Sequence, residues 1–174
     1  MFNKFIAIIL PYLPKNLIWI FSRSYISGKS VEDAMRVSKE FNSENILVTL
    51  DVLGEFIKDL GEAGINKQEY LELIDITYKN GIKGNFSAKP TSFGLLIDKE
   101  ACYRHMREIV AKAASYNGFI RIDMEDSPCT TAEIELFRRL KTEFPANVGL
   151  VLQAYLKRTL DDLKGLADLN SEST

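Results

Sequence analysis

The chain has 174 residues, 46% of them apolar and 26% charged, with a net charge of −2. That length suits one ordinary core, and the composition is that of a globular protein rather than a disordered or disulfide-stapled one. A near-neutral balance with scattered basic residues excludes broad electrostatic attraction to nucleic acid or anionic membrane.

The N-terminal stretches 5–10 and 17–21 are apolar but are divided by Pro11, Pro14 and Lys15. Neither approaches the roughly 20 apolar residues of a spanning helix. Lys4 before a short apolar run resembles a signal peptide, yet no small-residue cleavage site follows. Short amphipathic helices packed on the body are expected here, with a membrane-surface anchor as the alternative.

Ser30 followed by Asp33 forms a capping-box pattern at the head of a helix running to about Phe41. Residues 42–45 break it, and 46–50, I-L-V-T-L, form a strand ending on Asp51. The spacing predicts a second helix over 67–79, with Tyr70, Leu71, Ile74 and Tyr78 on its apolar side and Asn80-Gly81 as its stop. A strand over 85–88 ends on Lys89 before Pro90. Asp98 opens a longer helix to about Tyr116, and 119–122 is a third strand ending on Asp123. Thr130 or Thr131 is the expected cap of a helix over 133–143. The strand 148–152 ends on Gln153, and Thr159 is expected to cap a last short helix.

Four βα units follow in series, their strand ends about 38, 34 and 30 residues apart, which fits successive parallel strands. An open doubly wound sheet and part of a (β/α)8 barrel both satisfy that alternation. The strand ends favour the barrel, because there the C-terminal ends of all strands converge on one mouth. A nucleotide-binding open sheet would carry a glycine-rich turn after its first strand, and D-V-L-G-E has a single glycine.

Lys89 and Asp123 read as a polar pocket floor, with a buried ion pair tying two strands together as the competing reading. Gln153 offers an amide donor and acceptor suited to a heterocycle edge, or to water at a rim. Glu55 reads as a first-turn helix acid, and Glu125 and Asp126 as turn residues. His105 falls on a charge-rich helical face and reads as a solvated surface histidine. Cys102 and Cys129 lie outside any C-x-x-C spacing and read as a reduced pair, consistent with a cytoplasmic protein. No metal-ligand spacing is expected.

The stretches V-T-L-D-V-L-G-E (48–55), S-A-K-P-T-S-F-G (87–94), I-R-I-D-M-E-D-S (120–127) and V-G-L-V-L-Q-A-Y-L-K-R-T (148–159) resemble consecutive barrel segments of the proline dehydrogenase family. The lead-in S-G-K-S-V-E-D-A does too, and the resemblance covers about residues 20–165. It implies a distorted (β/α)8 barrel carrying FAD, which oxidises L-proline to Δ1-pyrroline-5-carboxylate by hydride transfer to flavin N5, with reoxidation commonly by a quinone. By the same resemblance Lys89 lies near the substrate carboxylate and the flavin, and Asp123 helps hold the lysine and the site geometry. Asp123 and Met124 match flavin-site positions, Val151 and Gln153 lie along the isoalloxazine, and Glu55 is a gate that pairs with an arginine of the last barrel helix.

The expected fold is therefore α/β, the first four βα units of a proline-dehydrogenase-like TIM barrel. Its plan is a helical lead-in over 1–44, a half barrel over 45–168 and a polar tail over 169–174. Family members continue through four more strands that supply most contacts to the FAD ribityl and phosphate chain and the main clamp on the proline carboxylate. The chain alone is accordingly expected to be weakly active or inactive. Half a barrel leaves two strand edges and one sheet face open, so self-association or a complementing C-terminal half is expected. The protein is expected in the cytoplasm, and a quinone or membrane electron acceptor would bring it to the inner face of the membrane as a peripheral protein. The alternative is a non-catalytic half barrel acting as an oligomeric scaffold or as partner of a separately encoded half.

Overall fold

The computed structural model describes residues 30–170; the helices expected over 5–21 and the last four residues of the polar tail lie outside them. Helix α1 (Val31–Ser43) opens as expected, with the Ser30 hydroxyl accepting the Asp33 N–H at 3.2 Å. It ends at Ser43 with Glu44 as its C-cap, and Asn45 follows in the left-handed region at φ 63°. The Asn42 side chain then accepts from Lys83 N–H at 2.6 Å and donates to Ile46 O and Lys83 O, stitching the lead-in to the start of the second strand.

Strand β1 (Val48–Leu50) is two residues shorter at its start than expected, because the ladder begins only where Val48 N–H meets Lys83 O. Ile46 and Leu47 are left exposed. Helix α2 (Leu60–Lys79) is seven residues longer at its N-terminus than the periodicity indicates. Gly61 and Gly64 weaken the helical signal there. Two other features supply what they lack: the Asp59 carboxylate accepts the Gly61 and Glu62 N–H groups at 2.8 and 3.1 Å, and Ala63 is fully buried. Asp59→Ala is expected to cost about 1 kcal/mol, measured as a lowered urea midpoint.

Strand β2 (Gly84–Ala88) runs into a 3-10 turn, Pro90–Phe93, that closes on Gly94 at φ 94°. A Cβ at Gly84 would stand 2.4 Å from Val48 O, so β1 and β2 approach this closely only with glycine here. Helix α3 (Lys99–Ala114) is capped by Asp98, then come β3 (Ile120–Ile122), α4 (Thr130–Glu143), β4 (Val148–Leu150), α5 (Thr159–Gly165) and a final 3-10 turn, Ala167–Asn170. The expected caps Thr130, Thr131 and Thr159 do not act as caps. Cys129 and Arg158 hold the cap positions without side-chain bonds, and the Thr159 hydroxyl instead donates to Gln153 O at 2.5 Å.

The four strands form one parallel sheet in the order β1-β2-β3-β4, with Phe86, Ile120 and Val148 in register across β2 to β4. Phe86, Ala88, Ile120, Ile122 and Val148 are fully buried against apolar residues of α2, α3 and α4. Thr49, Arg121 and Gly149 at the alternate positions are polar or small and better exposed, while Ser87 on the same side is buried. This two-residue alternation gives the sheet one packed face and one open face. Among the described residues β1 and β4 are each paired on one side only. The parallel βα series expected from the sequence is thus the observed architecture.

Candidate active site

Pairing continues one residue past the strands, with Asp123 N–H on Ala88 O at 3.0 Å and Val151 N–H on Ile122 O at 2.9 Å. By the alternation Lys89, Asp123, Val151 and Gln153 belong to the open face, at the C-terminal ends of adjacent strands. Glycine-free extended backbone at Lys89 (φ −97°, ψ 114°) carries that side chain past the end of β2.

Lys89 Nζ pairs with Asp51 Oδ2 at 2.5 Å, both side chains 23% exposed. The sequence reading coupled Lys89 to Asp123; the direct partner is Asp51, and no ion pair links Lys89 to Asp123 among the described residues. Burial works against the charge of Lys89. The hydrogen bond and charge of Asp51, with the charges of Asp123 and Glu55, outweigh it, so its pKa is held above the ordinary lysine value. Lys89 is therefore a fixed cation at neutral pH.

Asp51 is fixed from its other oxygen. The Tyr70 hydroxyl lies 2.6 Å from Asp51 Oδ1 and 2.5 Å from Ser87 O, and accepts Val52 N–H at 3.2 Å. Burial, then the Asp51 bond and charge, push the Tyr70 phenol far up, so it stays a neutral donor. Tyr70→Phe removes that donor and leaves Val52 N–H unanswered; a loss of about 1–2 kcal/mol in denaturant unfolding is expected.

Gln153 Nε2 donates to Met124 O at 3.1 Å, tying the end of β4 to the turn after β3, while its Oε1 is buried without a partner among the described residues. Met124 is buried and Val151 half-buried. Glu55 is exposed on the loop between β1 and α2, where it acts on Lys89 and Glu125 only as a charge. Asp126 is an exposed turn acid, as expected. Glu125 lies in the same turn but is buried, its carboxylate accepting Thr91 N–H at 2.9 Å and the Thr91 hydroxyl at 2.5 Å. Burial, and next the charge of Glu55, raise its pKa against the Thr91 bonds that lower it.

Glu133 of α4 is fully buried, and Oε1 accepts Glu125 N–H at 3.0 Å. Burial foremost, then the carboxylates of Glu125, Asp123 and Asp126, push it up to about 7 against the effect of that hydrogen bond. Asp51, Tyr70, Thr91 and Glu133 carry no role in the sequence reading. Glu133 alone had a local signal, since it interrupts the buried stripe Thr130, Leu136, Phe137 and Leu140 with a charge.

His105 is half-buried rather than fully solvated, its Nδ1 3.4 Å from Phe93 O. Cys102 and Cys129 are buried free thiols, and burial foremost pushes Cys102 up to about 12, out of reach of thiolate chemistry at neutral pH. Among the described residues no cluster of His, Cys, Asp or Glu could hold a metal ion, and no helix is long and apolar enough to cross a membrane.

The proline dehydrogenase family model matches residues 34–174. The chain belongs to the proline dehydrogenase family. The proline dehydrogenase of Deinococcus radiodurans is 35% identical over 161 residues, covering 90% of this chain and 52% of that protein. Proline dehydrogenase 1 of Bacillus subtilis subsp. natto is 32% identical, over 85% of this chain and 49% of that one. The chain spans about half the length of the curated relatives it matches. A solved proline utilization A from Corynebacterium freiburgense superposes with a TM-score of 0.73 at 25% identity, over 98% of this chain and 18% of the other. That from Bdellovibrio bacteriovorus gives 0.75 at 23% identity, over 84% and 18%. The expected half of a proline-dehydrogenase-like barrel is the fold observed, and the chains of known structure that share it are several times longer.

Proposed function

We propose that this chain supplies one wall of an FAD-dependent site that oxidises L-proline to Δ1-pyrroline-5-carboxylate. The observation that carries the reading is the gathering of Lys89, Asp123, Val151 and Gln153 at one end of adjacent parallel strands in a member of this family. When bound, FAD supplies the two-electron acceptor for the hydride leaving the proline ring carbon beside nitrogen. The residues fit one edge of an isoalloxazine. The buried, unpartnered Gln153 Oε1 calls for an N–H donor of the kind that ring carries, and Met124 and Val151 give it apolar surface.

In this reading Lys89, held protonated by Asp51, attracts the proline carboxylate and orients the ring for reaction. Asp123 adds negative charge that keeps Lys89 protonated without occupying its ammonium. Glu55, on an exposed loop, is free to change partner as substrate enters, which suits a gate. Reoxidation by a quinone or other membrane electron acceptor completes the cycle.

A second reading is a non-catalytic half barrel that pairs with copies of itself or with another polypeptide. The edges of β1 and β4, each paired on one side only among the described residues, favour it. Flavin absorbance and sedimentation of the 174-residue chain test both. The expected result is association or instability, without stoichiometric flavin. Tight FAD with proline-dependent bleaching by the chain alone would contradict the need for further strands. A stable monomer with a cooperative melt would contradict the scaffold.

A further inference from the structure

The turn after β3 is fastened by a carboxyl group that the proposed oxidation does not use. Glu133 Oε1 accepts Glu125 N–H at 3.0 Å, and Glu125 passes the hold onward through its carboxylate to Thr91 N–H and the Thr91 hydroxyl. Thr91 lies two residues past Lys89, and its Oγ1 accepts Phe56 N–H at 3.1 Å, beside Glu55. Phe56, Thr91, Glu125 and Glu133 thus form one hydrogen-bonded chain across four segments. Three of its members lie within two residues of Glu55, Lys89 and Asp123.

We propose that Glu133 is a positioning residue for the strand-end site, fixing through Glu125 and Thr91 the turns that carry Asp123, Lys89 and Glu55. The inference rests on the proposed role of those three residues. Packing alone would place a leucine at this point of the stripe; a leucine would leave the Glu125 N–H unanswered. The charged groups that act on Glu133 are Glu125, Asp123 and Asp126, all acids of the turn, with the Cys129 thiol on its own helix also within its field. On α3, Lys99 and Glu100 are engaged with Glu135 and Arg139 on the exposed side of α4, and β4 carries no charge. The Glu125 N–H bond by itself favours the carboxylate, but burial and the neighbouring acids outweigh it. No cation offsets an ionised Glu133 among the described residues and its Oε2 has no partner there, so the closed turn is most stable relative to its opened form while the carboxyl keeps its proton.

Backbone amide exchange at Glu125 in the 174-residue chain, corrected for intrinsic base catalysis and followed from pH 5 to pH 8, tests this. Glu133→Leu is expected to raise exchange by about tenfold or more over wild type at pH 5. Glu133→Gln keeps an acceptor oxygen and cannot ionise, so it should restore protection close to wild type at pH 5. Wild-type protection should fall by about tenfold or more between pH 5 and pH 7 and then level, while that of Glu133→Gln stays flat. Wild-type protection in Glu133→Leu, or parallel profiles for wild type and Glu133→Gln, would overturn the proposal. If Glu133→Leu does not fold, the two profiles decide by themselves. Neither flavin nor proline is present, so this outcome and that of the oxidation assay stand apart.

Discussion

Lys89→Met is expected to lower kcat/KM for L-proline by about a hundred- to a thousandfold in a barrel completed with the second half of the Bacillus subtilis relative. Methionine keeps the length and apolar stem of lysine and removes only the charge. What is lost is a cation whose position is fixed before substrate arrives, because Asp51 holds it at 2.5 Å and Tyr70 holds Asp51. Preorganised charge of this kind is worth far more than a mobile surface lysine. Asp51 stays partly exposed and keeps its Tyr70 bond, so water replaces its missing partner and stability changes by about 1 kcal/mol or less. The kinetic constants and a urea melt of the same variant separate the two effects. Unchanged kcat/KM would remove Lys89 from the substrate, whereas a collapse of stability would make the pair structural.

Between pH 5 and pH 8 the unfolding free energy of the chain is expected to fall by an amount on the order of 3 kcal/mol, most of it through Glu133. Folding raises that carboxyl from its ordinary 4.5 to about 7, chiefly by burial. The folded state therefore keeps a proton that the unfolded state has released. Stability from this group is full below about 4.5 and is lost as pH climbs to about 7; a gap of about 2.5 units at about 1.4 kcal/mol each gives the size. Glu125 shifts in the same direction and adds to the trend, while the raised lysine pKa of Lys89 acts only at alkaline pH. Glu133→Gln should flatten the profile and exceed wild-type stability at pH 8. Urea unfolding across the range measures it, and a wild-type curve that rises with pH would contradict the assignment.

The fold was legible because parallel strands covered on a buried face leave short apolar runs, and each run here stops at a polar residue. The first two turns of α2 were not, since Gly61 and Gly64 mask a helix that Asp59 and the burial of Ala63 sustain. At the site, the polar strand ends Lys89, Asp123 and Gln153 stood out against their apolar strands. The partner of Lys89 did not. β2 lies between β1 and β3, so an acid stands on either side of it, and only the Tyr70 hydroxyl, reaching from α2, orients Asp51 toward the lysine. Glu133 showed only as a charge interrupting an apolar stripe, and its burial did not. A charged residue on a helix is usually solvated, and its burial depends on a turn eight residues away that supplies the N–H.

The most direct test is the flavin spectrum of this chain reassembled with the second half of its Bacillus subtilis relative and titrated with L-proline. If the strand ends of this chain form a wall of the site, the complex holds FAD in stoichiometric amount, proline bleaches it, and Lys89→Met holds FAD but bleaches about a hundredfold or more slowly. A complex that forms yet retains no flavin, or that bleaches equally with methionine at position 89, contradicts it.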